Sequence, residues 1–147
     1  MGDELAAANV NRSYSLAATS IAIFTFTLFF MYPRFVSGEI NALLFQAALV
    51  VMGVATFSFV FASFYYYCAS VGSRIDDAER VLYSRRADRF WLLGYTLLFF
   101  DPSLILFSIR LLLVATVWFA LWLAYLLFVI RYFPKVQTRA ADSQKLS

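Results

Sequence analysis

Between Phe90 and Ile130 the chain carries two charged residues in forty-one, Asp101 and Arg110. Two further apolar stretches, Tyr14–Tyr32 and Leu43–Tyr65, precede this one, which itself divides into Phe90–Phe100 and Leu111–Ile130. A soluble domain has no interior for so much apolar surface. The chain is 63% hydrophobic over 147 residues, against about 45–50% in ordinary domains. The fitting solvent is a lipid bilayer, whose ~30 Å hydrocarbon core takes about 20 helical residues to cross. The first, second and fourth stretches suffice alone, and the third draws on its neighbours. A barrel would need many alternating segments of about ten residues, and the sequence has none. The expectation is an all-α, polytopic membrane protein with four transmembrane helices in an up-down bundle.

The basic residues set the expected orientation. Arg12 precedes the first span, Arg74, Arg80, Arg85, Arg86 and Arg89 separate the second from the third, and Arg131, Lys135, Arg139 and Lys145 follow the fourth. Only Arg34 and Arg110 fall on the other side. Both termini are therefore expected in the cytoplasm of a cell-membrane protein. The leader opens acidic and its apolar run exceeds a signal core, so the first span is expected to be retained. Ala6 stands where myristoylation wants Ser or Thr, and the Asn11-Arg12-Ser13 sequon is read as chance. The expected organisation is a leader (1–12), a membrane domain (13–133) and a basic tail (134–147). The helices are expected at about 13–33, 41–71, 85–100 and 102–132, with a cytoplasmic loop at 72–84.

The Asp101-Pro102 pair decides where the third helix ends. Aspartate is a preferred N-cap, and proline suits the first helical position. On that rule the chain reverses at Asp101–Ser103, Asp101 caps the fourth helix at the outer surface, and Leu104–Ile109 form its opening turns. Arg110 then snorkels outward from the upper leaflet. "TLFFMYP" at Thr27–Pro33 matches "TLLFFDP" at Thr96–Pro102 in four of seven positions, as two outer helix ends would. The competing reading uses the spacing of Arg89, Arg110 and Arg131, 21 residues each. It brackets two full spans, turns at Arg110, kinks at Pro102 and leaves Asp101 inside the membrane, where a charge costs about 2.5–3.5 kcal/mol on insertion scales. That cost favours the reversal at Asp101.

In the cytoplasmic loop, Ser73-x-x-Asp76 forms a capping-box pattern, and Asp76 and Arg80 pair at i,i+4. Ile75, Ala78 and Leu82 share a face of a short helix leading into the third span. Its five basic and four acidic residues nearly cancel, which favours a solvated connector over a partner-docking or lipid-headgroup surface. Tyr65, Tyr66, Tyr67, Trp91 and Tyr132 fall at the interfacial aromatic belt. Cys68 lies beside them, read as an unmodified thiol rather than a palmitoylation site. Trp118, Trp122 and Tyr125 share a face of the fourth helix, for packing first and a ligand pocket second. Ala18/Ala22 and Ser58/Ala62 are small-xxx-small pairs suited to helix–helix contact and self-association.

Histidine is absent, which removes histidine metal sites, bis-histidine haem and histidine acid–base chemistry. CxxC pairs, Gly-rich phosphate loops and paired carboxylates within the spans are missing too. The expectation is no enzyme, no cofactor, no metal and no nucleic-acid partner. Asp101 and Arg110 are the polar residues of interest. Three roles remain: an oligomeric channel-like or transport component, a non-catalytic accessory or scaffold subunit of a membrane complex docking a cytoplasmic partner, and a lipid or small-molecule binder or exporter. The lipid bilayer is a partner in all three. A proton-coupled exporter would need an embedded carboxylate, and the one candidate, Asp101, is expected at a surface.

Overall fold

The structure, a computed structural model, describes residues 2–71 and 76–144, with side chains for 7–71, 76 and 78–131. It contains four helices: α1 (Gly2–Val36), α2 (Ala42–Val71), α3 (Asp77–Ser108) and α4 (Leu112–Gln144). No strand occurs among the described residues. Each helix holds a segment long and apolar enough to cross a membrane: Ala7–Val36, Ala42–Val71, Ala78–Ser108 and Leu112–Arg131. Arg80, Arg85, Arg86 and Arg89 lie in the first turns of α3, which makes the end of the bundle with the α2–α3 connection arginine-rich. The α1–α2 and α3–α4 turns lie at the far end.

The core is organised by a seven-residue repeat on α2. Phe45, Met52, Phe59 and Tyr66 alternate with Ala48, Ala55, Ala62 and Ala69, and all eight are buried. Spacings of three and four residues keep such a set on one seam, and the alanines let backbones approach. On α3, Ala87, Gly94, Asp101 and Ser108 recur every seven residues and are likewise buried. On α1, Ser13, Ala17 and Ser20 are buried and Phe24, Thr27 and Met31 half-buried at the same rhythm. α2 is thus the central helix, packed most extensively on α3 and next on α1. Ser58 and Ala62, singled out for their size, lie inside this fold at 4% and 0% exposure. Ala18 and Ala22 are exposed on α1.

The two far-end turns share one geometry. After α1, Glu39 N–H donates to Arg34 O at 3.0 Å, with Gly38 at φ +74°. After α3, Leu111 N–H donates to Leu106 O at 3.0 Å, with Arg110 at φ +63°. Both are helix C-caps closed by a bond spanning six residues around a left-handed residue. Glycine is free to adopt that conformation; arginine pays about 1–2 kcal/mol for it. Asn41 starts α2, its Oδ1 accepting Leu44 N–H at 3.1 Å, and its own N–H ties this turn to Ser108 O at 3.0 Å.

These turns correct the expected boundaries. The chain does not reverse at Asp101–Ser103: α3 continues through Pro102 to Ser108. Asp101 caps no helix, Leu104–Ile109 belong to the end of α3 or its cap, and Arg110 sits in the turn itself. At the other end, α3 starts at Asp77, not near Arg85, so the loop helix and the third span are one element. Asp76 occupies the N-cap backbone position without a side-chain capping bond. Ser73 and Ile75 lie outside the described residues.

α4 packs chiefly on α3, and among its described residues Ala115 alone is buried. It is held at the level of the proline. Pro102 has no N–H and so removes the helical donor to the Leu98 carbonyl, four residues earlier. Here Trp118 Nε1–H donates to Phe99 O and Trp122 Nε1–H to Thr96 O, each at 2.9 Å. Phe100 packs against the Trp122 ring, centroids 4.8 Å apart.

Candidate functional site

Asp101 is 1% exposed. Its position follows from the arginines on either side. Arg89 and Arg110 bracket twenty residues, about 30 Å of helix and one hydrocarbon thickness. Asp101 is twelve residues beyond Arg89, about 18 Å along the axis, and seven before the helix end at Ser108, about 10.5 Å. It therefore lies inside the apolar span, on the seam of α3.

The seam brings three helices to this carboxylate. Phe24 and Thr27 of α1, Ala48, Leu49 and Met52 of α2, and Ile105 of α3 line a tight pocket with it. The space beside the carboxylate is narrower than a water molecule. Oδ1 is buried and has no hydrogen-bond partner; two residues on, Ser103 Oγ is in the same condition. Other seam hydroxyls are spent on their own helices: Ser13 donates to Asn9 O and Ser20 to Leu16 O, both at 2.9 Å. Ser108 donates to Ile105 O at 2.7 Å. A polar oxygen buried without a partner forfeits about 1–3 kcal/mol of desolvation. At Asp101 the fold thus keeps a polar oxygen in an apolar wall. The arrangement can accept a proton or a small cation at Oδ1.

Arg110 lies beyond the end of α3, in the left-handed position of the turn, while Asp101 is buried on the seam inside the helix. The Arg110 side chain is exposed in the far-end turn. The distinction is measurable with a membrane-impermeant maleimide in a Cys68→Ser background. Arg110→Cys is expected to label rapidly, and Asp101→Cys to stay unlabelled in the intact membrane. Equal labelling of the two would place the helix end at Asp101.

Trp118, Trp122 and Tyr125 share a face, as their spacing requires, and that face is turned to α3. With Phe99 and Leu121 they line an apolar cleft of about 230 Å³, but both indole N–H groups are already engaged. The arginine-rich end holds a second polar cluster. Tyr66 Oη–H donates to Asp88 Oδ1 at 2.6 Å, Ser63 Oγ–H to Val10 O at 3.1 Å, and the Arg12 guanidinium stands 5.1 Å from the Trp91 ring centroid. These contacts close α1, α2 and α3 together at that end. Met52 lines the candidate site without having been singled out in the sequence, and the signal for it was the seven-residue rhythm of α2. Comparison with family models, curated proteins and solved structures gives no match.

Proposed function

We propose that this protein is a membrane transport component in which Asp101 carries a proton, or a small cation in its place, through the middle of the bilayer. The observation that supports it is a carboxylate 1% exposed, with a partnerless oxygen, inside an apolar span. An ionisable side chain within a membrane span is a functional group by default, because its cost must be offset by use. The closed pocket corresponds to an occluded state, and alternating access requires the α1–α2–α3 seam to open on one side at a time. Four helices enclose little by themselves, so a conduit on an oligomer axis belongs to the same reading, with the exposed Ala18/Ala22 face of α1 available to a second copy. The arginine-rich end faces the cytoplasm in this reading.

The test is proton flux in proteoliposomes loaded with a pH-sensitive dye. Wild-type protein is expected to dissipate an imposed pH gradient faster than empty vesicles. Asp101→Asn, with the same shape and no exchangeable carboxyl proton, is expected to return the rate to that of empty vesicles with helicity unchanged. A wild type indistinguishable from empty vesicles, across sodium and potassium gradients as well, removes the proposal.

A further inference from the structure

At the arginine-rich end, Arg86, Arg89, Phe90 and Leu93 stand at i, i+3, i+4 and i+7 on α3 and so share one face. Tyr65 of α2 closes the other side, its ring stacked on Phe90 at 5.6 Å and 12°. The five residues line a groove of about 360 Å³. Both arginines are exposed. Asp88, the acid between them in sequence, accepts the Tyr66 hydroxyl and is not among the residues that line the groove. From Arg86 to Leu93 the groove descends about 10.5 Å, changing from two guanidinium groups to aromatic and aliphatic walls. Charge at the surface level and hydrocarbon below it are the polarity of one ligand class.

We propose that this groove binds a single anionic phospholipid, its phosphate on Arg86 and Arg89 and the head of an acyl chain along Phe90 and Leu93. Guanidinium groups match phosphate oxygens in charge and in planar, two-point geometry. The stacked Tyr65 and Phe90 rings form a rigid wall at the depth where the glycerol backbone gives way to the chains.

Native mass spectrometry of the full-length protein in mild detergent tests this, using phosphatidylglycerol and phosphatidylcholine with identical chains at equal concentration. The wild type is expected to retain one phosphatidylglycerol with about 25-fold preference, a factor of about five for each arginine at a membrane surface. R86Q/R89Q is expected to bring the preference to near parity, while R34Q, at the far end, leaves it intact. Glycerophosphate, which has the charge without the chains, is expected not to displace the lipid at equal concentration. Equal retention of the two lipids by the wild type overturns the proposal, as does preference surviving in R86Q/R89Q. Displacement by glycerophosphate shows a free-phosphate site and also overturns it. The wild-type comparisons decide the matter even where a variant loses its helicity.

Discussion

Asp101→Leu is expected to stabilise the protein by about 1–3 kcal/mol while removing its transport activity. Leucine is the apolar shape analogue of aspartate, with two methyls on Cγ where aspartate has two oxygens. On insertion scales a central aspartate costs about 2.5–3.5 kcal/mol and a central leucine gains about 0.3–0.6. Part of that difference is lost because the Leu methyls are larger than the oxygens they replace and must fit among Phe24, Ala48 and Met52. The measurement is thermal or detergent-induced unfolding of the purified variant beside the flux assay. A gain in stability with loss of function is the mark of a group kept for use at the expense of the fold. A leucine variant less stable than wild type would instead make Asp101 a structural group with a partner.

The second large effect is at Gly94. A Cβ built there would come within 2.9–3.0 Å of three Phe59 ring atoms. Phe59 is fully buried and held edge-on by Tyr95 at 5.7 Å, so the ring has nowhere to retreat. Alanine is the better helix former by about 1 kcal/mol, yet overpacking at such a site costs about 1–3 kcal/mol. Gly94→Ala is therefore expected to destabilise by up to about 2 kcal/mol, and Gly94→Leu to separate α2 from α3 altogether. Phe59→Leu in the Gly94→Ala background should recover part of the loss, and a double-mutant cycle reads the coupling directly. If Gly94→Ala raises stability instead, the two helices do not approach as closely as the seam requires.

The four crossings were legible from hydropathy because in lipid the backbone leaves no other choice. The third turn was not, and the reason is specific. Asp-Pro is a helix start where water competes for the backbone, and that rule was carried into a segment where it does not apply. Pro102 stands inside α3, and in the two turns before it Trp118 and Trp122 dock on the carbonyls at Phe99 and Thr96, a pairing between residues 19 and 26 apart that no local pattern displays. The true turn hid because Arg110 stands where glycine is the usual marker; the 21-residue spacing of the arginines was its trace. The candidate site was half visible. Asp101 drew notice as a lone acid, but its burial depended on the helix running past it. Ala48, Ala55, Ala62 and Ala69 stand in plain sight at intervals of seven, and read against Ala87, Gly94, Asp101 and Ser108 they place the carboxylate on the seam.

The tryptophan bonds to α3 have a consequence for how the family of sequences compatible with this fold can drift. Trp118 and Trp122 grip carbonyl oxygens, which every residue possesses, and α4 otherwise turns mostly exposed positions outward. Residues 96 and 99 can therefore change identity without losing the docking register of α4. Most of α4 can exchange one apolar residue for another with little penalty. Sequences descended from a common ancestor would hold the two indoles and Ala115 fixed while the rest of that helix diverged, so kinship within this fold would be read from α2 and α3 long after α4 had ceased to show it.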